Sequence, residues 1–288
     1  MTVFLQSVLS GLLVGGVYAL IGIGLTIIFG VMRVINFAHG DLLMLGMYAT
    51  WWIFTKSGVD PYLALFATAP LLFLWGAFLQ KVFINRVLDA LPQNQILLTI
   101  GLGLIMSNSM MLIFTSDYRI LTTSYSSASF EVGGLSVSQP LLYSFVITAA
   151  ITAALFWFLS RTDTGQAIRA TAQDREAAQL MGINVKRTSV LAFGIGSALA
   201  GAAGTLVAPT YYIYPQVGSA FTLKAFVIVV LGGMGSVVGA TLGGLIIGVT
   251  ESLSAIYVAS GLKELVVFVL FLALLLFRPA GLLGKSRV

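Results

Sequence analysis

His39 and Asp41 flank Gly40 inside an otherwise apolar stretch, and they are the first residues here whose chemistry needs an account. An imidazole and a carboxylate this close suit a structural hydrogen bond, a contact to a polar solute, or one step of a proton relay. No further titratable group forms an obvious chain with His39, and Asp41 also suits the start of the helix that follows. Two more ionisable residues fall within apolar runs. Glu251 stands toward the end of one, where a position at the membrane interface would cost little. Lys224 begins another and is long enough to reach the interface. None of the four has the neighbours of a catalytic group. A single histidine and no cysteine exclude an ordinary zinc site and a disulfide framework. Gly284-Lys285-Ser286 imitates the end of a phosphate-binding loop, but Pro279 stands where that motif needs glycine. No other stretch cradles a nucleotide. No cofactor and no metal are expected, and any ATP chemistry belongs to another subunit.

The elements that position these residues are apolar spans. Hydrophobic residues make up 58% of the chain and charged residues 9%, far too apolar for one soluble core. Candidate spans run over 3–29, 37–55, 61–79, 94–114, 140–160, 188–208, a shorter 221–231, 237–257 and 262–277. Pro61 and Pro140 suit helix starts. The first run has no basic residue before Arg33, so it reads as a retained helix and not a secretory signal. Threading the spans alternately puts eleven lysines and arginines on one side: Arg33, Lys81, Arg86, five in the 161–187 loop, Arg278, Lys285 and Arg287. Only Lys56, Arg119, Lys224 and Lys263 fall on the other. The richer side is therefore expected to be cytoplasmic, with the N-terminus outside and the C-terminus inside. If the short 221–231 run enters and leaves on one face, the C-terminal assignment reverses. The outer 115–139 segment, rich in Ser, Thr and Tyr, reads as a connector or as a docking surface.

Two breaks interrupt the apolar pattern. Residues 30–41 carry Asn36, Phe37, His39 and Gly40, and residues 231–239 carry Gly232, Gly233 and Gly235. Irregular backbone at membrane depth survives only inside protein or beside a water-filled cavity. A Gly-interrupted segment in each half of a chain points to a solute path. The other reading is a pair of tight turns at the membrane surface. Gly11, Gly15, Gly16, Gly239, Gly243, Gly244 and Gly248 recur at helical spacing and suit close helix packing.

Between Arg161 and Arg187 the chain turns polar and helix-forming, as a handle outside the membrane would. Thr162, Asp163 and Thr164 are candidate N-caps. One helix is expected over 166–181, with Gly182 as a left-handed C-cap and Ile183 as its apolar partner. Such a helix is ~24 Å long, and residues 170, 174, 177, 178 and 181 would form a shallow face centred on Asp174.

Glu176-Ala177-Ala178, three intervening residues and Gly182 match the core of the EAA loop of bacterial ABC importer permeases, although the usual Ile-x-Leu-Pro ending is absent. That departure suits the LivH-type permeases of branched-chain amino acid importers. The resemblance to them covers nearly the whole chain, through Ile35–Gly40, Gly165–Gly182, Lys224-Ala225-Phe226, Val230–Ser236 and Pro279–Gly284. It implies an all-α, polytopic integral membrane protein similar to type II ABC importers. About eight to nine transmembrane helices and two broken or re-entrant segments are expected, in a single permease domain over 1–288 with a coupling loop at 161–187. It implies a bacterial inner-membrane subunit that moves a branched-chain amino acid, or urea or a short amide, by alternating access. The implied partners are a second, LivM-like permease, two cytoplasmic ATPases and a periplasmic binding protein. Asn36, Phe37, His39, Gly40, Gly232, Gly233 and Gly235 would shape the path. Arg169, Asp174, Glu176, Ala177, Ala178 and Gly182 would couple it to the ATPases. An ion-coupled secondary carrier is the competing reading, with Asp41 and Glu251 as thin support.

Overall fold

A computed structural model describes residues 2–88, 90–278 and 280–284. Pro279, Lys285, Ser286 and Arg287, named above, lie outside the described residues. Eleven α-helices follow in order: α1 Thr2–Met32, α2 His39–Ser57, α3 Pro61–Val82, α4 Pro92–Phe114, α5 Gln139–Arg161, α6 Asp163–Gln173, α7 Arg175–Leu180, α8 Val185–Val207, α9 Val217–Gly232, α10 Val237–Tyr257 and α11 Lys263–Phe277. One small hairpin, β1 Ser129–Val132 and β2 Leu135–Ser138, interrupts them. Among the described residues, seven spans are long and apolar enough to cross a membrane: α1, α3, α4, α5, α8, α10, and α11 together with the 3-10 turn Ser260–Leu262 before it, 18 residues in all. The other two apolar helices are α2, which opens on His39-Gly40-Asp41, and α9, which has only 16 residues.

The helices sort into a centre and a periphery. In the most apolar window of each span, 83% of α1 and 78% of α8 is buried, against 22% of α4 and 6% of α11. The outer helices thus present their apolar faces to lipid or to another subunit. α1 and α10 meet along a glycine seam, where a Cβ on Gly248 would lie 2.4 Å from the Gly15 Cα. Lipid gives apolar helices no reason to associate, so backbone approach of this kind carries the packing. Hydroxyl groups add to it. Thr205 Oγ1 lies 2.9 Å from Thr50 Oγ1 and 2.7 Å from Thr68 Oγ1, joining α2, α3 and α8.

Depth separates the two breaks. His39 Nε2 lies 3.0 Å from the carbonyl oxygen of Ile21. Ile21 stands eleven residues before the end of α1, ~16 Å back along its axis. Residues 33–38 therefore fold back up into the bundle, and α2 starts about a third of the way back along α1. Arg33 begins the reversal with φ 55°, its N–H donating to the Phe29 carbonyl at 2.7 Å. α9 starts at the same depth: the Gly40 N–H donates to Thr222 Oγ1 at 2.9 Å. A Cβ at Gly40 would lie 1.9 Å from the Gly218 carbonyl oxygen, so no other residue fits. From this shared level α2 and α9 run in opposite directions.

The second break is a short turn at one end of the bundle. Its Gly235 faces Gly30 of α1, and Gly30 in turn faces Ala172 of α6. The α9–α10 turn, the foot of α1 and the 161–187 loop therefore share one end. Residues 280–284 come back to that end: the Leu282 N–H donates to the Leu231 carbonyl at 2.8 Å and the Leu283 N–H to that of Gly232 at 3.1 Å. α9 thus crosses to the basic end, and the alternative of entry and exit on one face is not what forms. Lys224, assigned above to the opposite side, sits inside the bundle. The outer 115–139 segment is not a structureless connector. Arg119 pairs with Ile213 through two backbone hydrogen bonds of 2.9 and 2.8 Å and stacks over Trp51 at 4.3 Å. Tyr125 donates to Asp60 at 2.7 Å, and partial burial, with that bond, raises its phenol above the ordinary range.

Candidate functional site

A hollow of about 390 Å³ opens where α2 and α9 begin, with α4 as its far wall. Phe37, Asp41, Ile100, Gly103, Leu104, Ser107, Gln216, Ser219, Thr222 and Leu223 line it. Phe37 is the one residue of the expected path that reaches this hollow, its ring 4.9 Å from that of Phe226. Asn36 is fully buried and shapes the backbone instead: its Oδ1 accepts from the Ala38 N–H at 3.1 Å, an Asx turn. Its Nδ2 has no hydrogen-bond partner. His39 is fully buried against α1, bonded to Ile21, and its Nδ1 has no partner. Gly40 supplies the close approach to α9.

Gly232, Gly233 and Gly235 stand away from the hollow, in the turn at the basic end. Gly233 adopts φ 99° and Gly235 φ 88°, which favour glycine. Gly233 is covered by residues 283–284, and Gly235 is exposed. The two breaks therefore do not meet in one cavity. A larger hollow of about 540 Å³, between α2, α3 and α4, is walled by Trp52, Trp75, Phe114 and other residues without charge.

Glu251 is not at an undemanding interface. Lys224 Nζ reaches its two oxygens at 3.0 and 3.1 Å, and Lys263 Nζ lies 3.1 Å from Oε1. Lys224 also donates to Tyr18 Oη at 3.0 Å, and Tyr18 meets Tyr211 at 3.0 Å. This network ties α1, α9, α10 and α11 together and leaves Glu251 fully engaged.

The expected single helix over 166–181 is two. Thr162 caps α6 by accepting from the Gly165 N–H at 3.0 Å. Asp174 breaks the helix: its Oδ1 accepts from the Glu176 and Ala177 N–H groups at 2.9 and 3.0 Å, which makes it the N-cap of α7. It therefore cannot be the centre of one continuous face. Gly182, at φ 84°, ends α7 as expected: its N–H donates to Gln179 and that of Ile183 to Ala178, both at 3.0 Å. Arg169, Glu176 and Ala177 are exposed, whereas Ala178 is 4% exposed and faces the bundle. Met181, expected on the face centred on Asp174, is 83% exposed; Leu180 beside it, 89% exposed, is the residue the sequence reading missed. Also missed were Gln216, Ser219 and Thr222, although Pro209 and Pro215 around Tyr211-Tyr212-Ile213-Tyr214 already mark a non-helical approach to α9.

A bundle of apolar helices with paired helix starts inside it and a capped loop at one end is the architecture of a multi-pass membrane protein. Residues 7–275 match the family described as branched-chain amino acid transport system / permease component. The chain is 35% identical to the high-affinity branched-chain amino acid transport system permease protein BraD of Pseudomonas aeruginosa, over 99% of this chain and 97% of that protein. It is 33% identical to LivH of Escherichia coli, a permease of the same description, over the same shares. A probable LivH of Methanocaldococcus jannaschii is 28% identical over 97% and 92%. No solved structure matches. The chain belongs to this permease family, as a multi-pass protein of the bacterial inner membrane and one component of an ABC import system.

Proposed function

We propose that the chain is one of two membrane subunits of an importer that moves branched-chain amino acids inward by alternating access. A second, LivM-like permease completes the path, two cytoplasmic ATPases drive it, and a periplasmic binding protein delivers the solute. The observation that carries this reading is the re-entrant segment 33–38, which brings the starts of α2 and α9 together beside the Asp41 hollow. Backbone broken at this depth is what a solute path requires, and the second permease would close its open side. In this reading Asn36, His39 and Gly40 hold the shape, Phe37 faces the solute, and Gly232, Gly233 and Gly235 form the hinge at the cytoplasmic end. Arg169, Asp174, Glu176, Ala177, Ala178 and Gly182 build the coupling element. The chain itself performs no covalent chemistry.

An ion-coupled carrier is disfavoured by Glu251, whose two lysine partners leave it no room for a transported cation. The test is uptake by the co-expressed subunits in proteoliposomes. Leucine import that needs both ATP and the loaded binding protein supports the proposal. Urea or acetamide imported in place of leucine, or import driven by an ion gradient without ATP, overturns it.

A further inference from the structure

Among the described residues two acidic side chains lie inside this bundle, and they are treated in opposite ways. Glu251 is matched by two lysines. Asp41, 9% exposed, pairs with no side chain among the described residues and borders the hollow. An ionised carboxylate kept from water needs a cation or several donors. The space around it is specific. A Cβ on Gly103 of α4 would lie 2.5 Å from Asp41 Oδ2, and one on Gly218 of α9 would lie 2.8 Å from Oδ1. Helices on either side thus leave out side chains where the carboxylate stands. Beyond it the hollow is apolar at Phe37, Ile100, Leu104 and Leu223, and polar at Ser107 of α4 and at Gln216, Ser219 and Thr222 around the start of α9. A helix start favours negative charge.

Resting on the importer reading above, we propose that Asp41 receives the α-ammonium group of the amino acid in transit. The solute carboxylate points to the first turn of α9 and its aliphatic side chain lies against Phe37, Leu104 and Leu223. The hollow is then a transit site for a zwitterion with an apolar side chain, and it selects for the charged amine independently of the binding protein.

The test uses the full complex in proteoliposomes. Asp41→Asn keeps the size of the side chain and removes the charge. We expect normal subunit assembly, with leucine import at saturating ATP and loaded binding protein falling at least tenfold, and partial recovery in Asp41→Glu. Wild-type import rates in Asp41→Asn would overturn the assignment. A second measurement leaves Asp41 in place. Leu104→Cys, in a chain with no native cysteine, is labelled with a water-soluble maleimide in the presence of competing solutes. Leucine, and more weakly 3-methylbutylamine, should slow labelling; 4-methylpentanoate, which lacks the amine, should not. Equal protection by 4-methylpentanoate would overturn the proposal. The importer reading fails separately, if the unmodified complex shows no ATP-driven leucine uptake at all.

Discussion

Glu251 holds two lysines at once, so its loss does more than remove one hydrogen bond. In Glu251→Gln the Lys224 ammonium keeps Tyr18 and a neutral amide oxygen as acceptors but loses its counter-charge, deep in a low-dielectric bundle. Breaking a buried pair from one side costs about 3–5 kcal/mol. Lys263 contributes less, because its side chain is 38% exposed and solvent screens it. The expected result is a detergent-solubilised complex that aggregates several degrees lower for Glu251→Gln and only slightly lower for Lys263→Met. The pair Lys224→Met with Glu251→Leu should recover most of the loss, as apolar residues often replace a buried pair without penalty. Melting curves of the three variants check the order. Neither partner was legible in advance. Lys224 and Glu251 lie on different helices, and which helices touch is decided by packing that no local pattern records. Asp41 was half legible: its position near a helix start could be read, and the hollow it borders could not.

At the scale of elements, the coupling loop shows what capping chemistry decides. The alanine-rich composition predicts one helix. Asp174 overrides it, because a short carboxylate can bond the amides ahead of it and so competes with helix continuation. The break sets the rotation of α7, turning Ala177 outward and Ala178 inward. A cysteine at Ala177 should therefore cross-link to the ATPase, while one at Ala178 should not; efficient cross-linking from both would mean that α7 does not keep this orientation. Leu180 and Met181 form an exposed apolar tip beside the Gly182 cap. Leu180→Asp or Glu176→Lys should lower the amount of ATPase that co-purifies severalfold and leave the permease in the membrane. Gly182→Val forces a β-branched residue into φ 84°, a conformation that disfavours it by ~1–2 kcal/mol. We expect it to reduce ATPase stimulation by the loaded binding protein. Wild-type stimulation in Gly182→Val and Glu176→Lys together would remove this loop from the coupling role. The apolar spans, by contrast, were legible to within a few residues, because lipid demands length and composition from each helix separately. The depth of the first break was not, since it depends on where residues 33–38 fold back against α1.

The whole molecule is finished only in company. α4, α5 and α11 show their apolar sides outward, and the Asp41 hollow, walled on one side by α4, is not fully enclosed by the described residues. The purified chain alone should neither bind nor hydrolyse ATP, since no stretch of it cradles a phosphate. Nucleotide turnover that persists after contaminating ATPases are removed would contradict this. One contact also bears on how the chain is made. The carbonyls that end α9 accept from Leu282 and Leu283, residues synthesised after α10 and α11. Until then the last turn of α9 remains open. Residues 280–284 return to the basic end because α10 and α11 cross as a pair. The end of α9 is thus capped by a segment that the ribosome makes only after α10 and α11.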